Sequence, residues 1–83
     1  MKLKILLFAN FRELLGLSEL DMEIDEGTRV ADLNRVLSNR GPIWQNVFQS
    51  SSIKVAVNHE LAELDSVLKD GDEVAYFPPV TGG

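Results

Sequence analysis

The residues whose types and spacing could do chemistry sit at the end of the 83-residue chain, in the run DGDEVAYFPPVTGG from Asp70 to Gly83. Pro78 and Pro79 cannot donate to a sheet ladder, so a strand ending at Phe77 must stop there and leave as stiff, extended backbone. Six residues from Pro78 onward, at about 3.3 Å each, reach roughly 20 Å from the domain. Gly82 and Gly83 have no side chain, so the tip is slim enough for a narrow channel and its backbone is open to close approach. A terminal carboxylate is a poor electrophile and reacts with a nucleophile only after activation, for example as an acyl-adenylate made from ATP. A chain whose reactive group is its own terminus needs no catalytic constellation of its own.

The remaining residues offer none. The sequence has no cysteine and one histidine, His59, which leaves no disulfide, thiolate metal site, cysteine nucleophile or histidine pair. His59 reads as a solvated turn residue. Asp70, Asp72 and Glu73 are neighbouring carboxylates, but at the start of a strand they read as turn formers rather than acid–base partners. No metal and no bound cofactor is expected. The net charge is −5 and the basic residues are scattered, which disfavours nucleic acid and anionic lipid as partners. No long apolar run suggests a membrane span, and Met1-Lys2-Leu3-Lys4 leads straight into a strand pattern rather than a signal peptide, so a cytoplasmic location is expected.

Eighty-three residues allow a single domain, with 1–79 folded and 80–83 a flexible Gly-Gly tail. Lys2 to Ala9 reads as a strand. Asn10 to Gly16 reads as a short helix, with Asn10 as N-cap, Glu13 completing a capping box and Gly16 closing it. Ser18 to Asp25 alternates, with Leu20, Met22 and Ile24 facing away from Glu19, Asp21 and Glu23. Thr28 is placed to cap a longer helix with the stripe Val30, Leu33, Val36 and Leu37, stopped at Gly41-Pro42. Ile43, Trp44, Val47 and Phe48 suggest further helical turns, and Ser50 to Ser52 a loop. Ile53 to Asn58 is a third strand, followed by a turn through His59 and Glu60. Leu64, Val67 and Leu68 suit a helical turn, and Glu73 to Phe77 is the last strand. Strand, strand, helix, strand, strand is the order of an α+β, ubiquitin-like β-grasp: a four-stranded mixed sheet with one main helix on one face and short extra helices. The same order also permits a ferredoxin-like variant lacking a helix.

Side chains alternate along a strand. Leu3, Ile5 and Leu7 share one face of the first strand; Lys2, Lys4, Leu6 and Phe8 share the other, which the lysines mark as wet. By the same parity Val74 and Tyr76 oppose Glu73, Ala75 and Phe77. With the first and last strands parallel neighbours, Phe8 and Phe77 meet at one end of the open face, with Leu61 able to join them. Two phenylalanines beside a specified tail read as a docking surface.

The run DGDEVAYFPPVTGG resembles the C-terminal end of the small, sulfur-carrying subunit of molybdopterin synthase (the MoaD family). LLFANFRELLG resembles that family's opening strand and helix, and IKVAVNHELAELD its third-strand segment; the likeness spans nearly the whole chain. The resemblance implies a sulfur carrier that is not an enzyme on its own. An E1-like adenylating enzyme would use ATP to activate Gly83, and a sulfur donor protein would convert it to a thiocarboxylate. Val80, Thr81, Gly82 and Gly83 would then enter the active site of the large subunit, within a heterotetramer, and pass sulfur to cyclic pyranopterin monophosphate. Phe8, Leu61, Phe77, Pro78 and Pro79 would contact the partners. The neighbouring readings are a thiamine-pathway sulfur carrier, a ubiquitin-like modifier joined to lysines, and an interaction domain with an inert tail.

Overall fold

The computed structural model describes residues 1–49 and 53–79; the serine loop Ser50–Ser52 and the tail Val80–Gly83, with the roles expected of them, lie outside the described residues. Within them the chain forms β1 (Lys2–Leu7), α1 (Asn10–Leu15), β2 (Glu19–Glu23), α2 (Val30–Ser38), α3 (Pro42–Phe48), β3 (Lys54–Val57), β4 (Glu60–Leu61) and β5 (Glu73–Phe77). The strands lie side by side in the order β2-β1-β5-β3-β4. β1 and β5 are the parallel central pair, with Leu6 beside Ala75 and Leu7 beside Tyr76, and the other pairings are antiparallel. The architecture is the expected α+β, ubiquitin-like β-grasp, with one more strand than four. The extra strand is Glu60–Leu61, two residues that fold back on β3 after a tight turn at Asn58-His59, both at positive φ.

The core lies between the inner face of the sheet and the helices. Leu3, Ile5 and Leu7 alternate inward from β1, and Val74 and Tyr76 from β5, each almost fully buried. Val30, Leu33 and Leu37 of α2 complete that core, but Val36 does not, being 43% exposed. At 100° per residue Val36 falls about 90° round the helix from the centre of the stripe the other three define, too far to reach the sheet. The Tyr76 hydroxyl donates to Asn34 Oδ1 of α2, which satisfies the phenol inside the core and fixes the helix on the central strand. Phe48 of α3 meets Tyr76 edge-on at 4.8 Å.

Three local expectations are corrected. Asn10 opens α1 rather than capping it. Ala9 holds the cap position at φ 54 with no side-chain bond to the helix, and the first free amides, of Phe11 and Arg12, donate instead to the carbonyls of Phe8 and Ala9. Gly16 does close that helix in the left-handed region. Thr28 lies one residue before the cap of α2: its hydroxyl donates to the Asp25 carbonyl at 2.6 Å, and the Arg29 amide donates to the Asp32 carboxylate at 3.1 Å. The segment Leu64–Leu68 is not a helical turn. Its backbone bonds run across to the start of α2, with the Val30 amide on the Ser66 carbonyl and the Leu68 amide on the Thr28 carbonyl, and Val67 forms a lone bridge with Arg29. Those cross-bonds occupy the groups that a helix would have paired internally, and Leu64 and Val67 are left exposed. No helix of the described residues is long and apolar enough to cross a membrane.

Candidate functional site: the open sheet face and the exit of the last strand

Among the described residues no helix lies against the outer face of the sheet, so the residues that parity turns outward are brought together by strand register alone. Leu6, Ala75, Ala56 and Leu61 form one row across β1, β5, β3 and β4, each pair in direct register. Next to it, Phe77 of β5 stands beside Lys54 of β3. The Phe8 amide donates to the Tyr76 carbonyl at 3.1 Å, which extends the β1–β5 ladder by one step and sets Phe8 beside Phe77. Phe8 is 47% exposed and Leu61 77% exposed, while Leu6, Ala75, Phe77, Pro78 and Pro79 are half-buried. Two aromatic rings and four aliphatic side chains thus form one apolar strip with no element of the described residues packed over it.

β5 runs from this strip directly into Pro78 and Pro79, so the tail leaves the domain from the corner that Phe8 and Phe77 mark. That strand lies at the centre of the sheet. It has ladder partners on both sides, and beneath it the buried Tyr76 is bonded to α2. Burial pushes the Tyr76 phenol far above its ordinary pKa of 10.0, so it stays neutral and a donor at every physiological pH.

Charge frames the strip. Glu19, Asp21 and Glu23 of the outermost strand lie in register with Leu6, Lys4 and Lys2 and so share the open face. Lys4 and Glu19 approach to 4.0 Å with both side chains well solvated, a pairing worth little on its own. Asp70 and Asp72 act as turn formers: the Asp70 carboxylate accepts the Lys2 amide at 2.7 Å, and the Asp72 carboxylate accepts the Lys69 amide at 2.8 Å. His59 is exposed in its turn, with Nε2 3.7 Å from the Glu73 carboxylate. Two open clefts, of about 470 and 450 Å³, both lie towards the starting ends of β1 and β5, away from Phe8 and Phe77, around Lys2 and Gly71 and around Asn58 and Asp72. Among the described residues no three histidines or carboxylates gather as a metal site.

Sequence parity placed Phe8 and Phe77 on this face, and the structure brings them together. It did not reveal the row through Ala56 and Ala75, because pairing register depends on which strands become neighbours. Nor did it reveal that the acidic residues of β2 border the same strip.

A β-grasp sheet with a parallel central pair, the helices of the described residues on one face and Pro78-Pro79 after its last strand places the chain in the ubiquitin-like class of small proteins. Residues 5–83 match the ThiS family, and the chain belongs to that family. It is 41% identical over 81 residues to the molybdopterin synthase sulfur carrier subunit of Haemophilus influenzae, covering 98% of this chain and 99% of that one. Among solved structures it is similar to a putative molybdopterin converting factor, subunit 1, from Pyrococcus furiosus, at a TM-score of 0.84 and 35% identity over 96% of this chain and 99% of the other. It is also similar to SAMP1 from Haloferax volcanii, at a TM-score of 0.85 and 31% identity over the whole of both chains.

Proposed function

We propose that this protein is the sulfur carrier subunit of molybdopterin synthase, with the carboxyl of Gly83 as its reactive group. The observation that carries the reading is the coincidence, at one corner of the sheet, of the Phe8–Phe77 pair with the strand that launches Pro78-Pro79-Val80-Thr81-Gly82-Gly83. Full-length likeness to a carrier of that name supports it.

In this mechanism an E1-like adenylating enzyme binds the apolar strip and brings the tail to ATP. An oxygen of the Gly83 carboxylate attacks the α-phosphorus, pyrophosphate leaves, and an acyl-adenylate results. Sulfur delivered by a donor protein at the sulfide level then attacks the acyl carbon and expels AMP, so that sulfur replaces one carboxyl oxygen. The thiocarboxylate form docks on the large synthase subunit through Phe8, Leu61, Phe77, Pro78 and Pro79, and the tail enters that subunit's active site. There the sulfur passes to cyclic pyranopterin monophosphate, and oxygen from water restores the carboxylate. The carrier supplies orientation and a tip without side chains; it holds no cofactor, and ATP is consumed by its activating partner. Two carriers on a large-subunit dimer make the heterotetramer, working in the cytoplasm where ATP is available.

Intact-mass measurement of the full chain after incubation with its activating enzyme, ATP and a sulfur source tests the reading. The expected product is heavier by the difference between sulfur and oxygen, and deleting Gly82 and Gly83 abolishes the change. An unaltered mass with an active ligase present would refute it. Likeness to SAMP1 favours one second reading, a modifier joined through Gly83 to lysine amines. The same activation would then end in an isopeptide bond, detectable as branched Gly-Gly remnants on other proteins rather than as sulfur in the pterin.

A further inference from the structure

Leu61 is the outer end of the apolar row, yet the strand that carries it has only two residues and pairs on one side alone. Its ladder consists of the pairings Ala56–Leu61 and Val57–Glu60, extended by the Ala62 amide donating to the Val55 carbonyl at 3.0 Å. So short an edge frays readily unless something else holds it.

The side chain of Asn58 ties the turn that carries it to the strand beyond β3. In the turn between β3 and β4, Asn58 and His59 have φ of 51° and 72°, the left-handed geometry that a two-residue hairpin loop requires and that asparagine tolerates well. From that position Asn58 Nδ2 donates to Asp72 Oδ1 at 2.8 Å, and Asn58 Oδ1 accepts the Glu73 amide at 3.0 Å. The Asn58 amide itself donates to the Glu73 carbonyl at 2.8 Å. Asp72 Oδ2 in turn accepts the Lys69 amide at 2.8 Å, so neither oxygen of that carboxylate is spare. The hairpin is thereby tied to the first residues of β5, the strand whose far end launches the tail.

We propose that Asn58 is a positioning residue for partner docking: through Asp72 and Glu73 it fixes β4 against the sheet and holds Leu61 in line with Ala56, Ala75 and Leu6. The inference rests on the docking role given above to the apolar strip, and it adds a residue that touches no partner. It also accounts for the asparagine and for the second aspartate of DGDE by one shared network.

The test is a double-mutant cycle on the full chain, reading affinity for the large subunit of molybdopterin synthase by calorimetry. Leu61→Ala should weaken binding by about tenfold, the size of a single well-placed apolar contact. Asn58→Gly keeps the backbone at ease while removing the tie, and should weaken binding several-fold with the melting temperature little changed. The double variant should bind no worse than Leu61→Ala, because the two act through one side chain. Amide exchange at Ala62 should quicken in Asn58→Gly. Exchanging the pair, Asn58→Asp with Asp72→Asn, preserves every donor and acceptor and should restore both affinity and exchange to within about twofold. Each single exchange should not, since one sets two carboxylates together and the other two amides. Should Asn58→Gly fail to fold, the exchanged pair still decides: rescue supports the inference and absence of rescue overturns it. Multiplicative losses in the double variant, or wild-type binding by Asn58→Gly, also overturn it. An unaffected Leu61→Ala instead removes the docking role itself.

Discussion

The two faces of the same strands differ in what they ask of a side chain. On the inner face of β1 and β5, Leu3, Ile5, Leu7, Val74 and Tyr76 are closed off from water, and each is matched to a neighbour. On the outer face, Leu6, Phe8, Ala75 and Phe77 are as apolar and only one residue away, but none of the described helices packs over them. An ordinary half-buried sheet alternates apolar with polar, and the lysines of β1 begin that way before Leu6 and Phe8 break the pattern. Alternation kept at one end and abandoned at the other leaves an apolar patch on the outer face, where the docking proposed above would fall.

Mutations on the two faces should therefore part company. Ile5→Ala empties a fully buried site between α2 and the sheet, and chemical denaturation should show a loss of about 2–5 kcal/mol. A loss under 1 kcal/mol there would break the contrast from the inside. Phe77→Asp is the outer counterpart. It should lower partner affinity by tenfold or more while costing about 1 kcal/mol or less of stability, since the new carboxylate faces Lys54. Unfolding of that variant would mean that Phe77 belongs to the core and that the two faces are not distinct.

A smaller effect sharpens the inner face. Tyr76→Phe removes the bond to Asn34 and leaves its oxygen unpaired, at about 1–2 kcal/mol near neutral pH. The sign of the pH effect follows from the raised pKa of the folded phenol. Below pH 10.0, the ordinary pKa, the phenol is protonated in both states and its contribution is whole. Above it the unfolded chain alone ionises, and stability falls by up to about 1.4 kcal/mol per pH unit. The alkaline decline should accordingly be steeper in the native protein than in Tyr76→Phe; parallel declines would show that the phenol is less enclosed than its position implies. The smallest effect expected is a gain. His59→Gly relieves a non-glycine residue at φ 72°, and should raise stability by about 0.5–1 kcal/mol without changing the apolar row.

Much of this was legible in one dimension. Alternation in β1 and β5 separated the inner from the outer residues, because in an extended chain parity alone decides the face. The end of the last strand was legible too, because Pro78 and Pro79 have no amide to donate to a ladder. The starts of α1 and α2 were less so, because capping depends on backbone angles that composition does not fix: Ala9 at φ 54 and Thr28 turned back to Asp25 were not to be read from residue types. Leu64–Leu68 misled for a related reason, its helical spacing being outweighed by backbone bonds to the start of α2.

The sequence by itself determined which residues of each strand share a face and that the last strand ends at Pro78-Pro79, since both are local properties of successive residues. Only the tertiary structure decided which strands are neighbours, and hence that Leu6, Ala75, Ala56 and Leu61 fall in one row and that Asn58 meets Asp72. Those contacts join residues far apart along the chain, and their geometry comes from the shared core that all the strands must cover together.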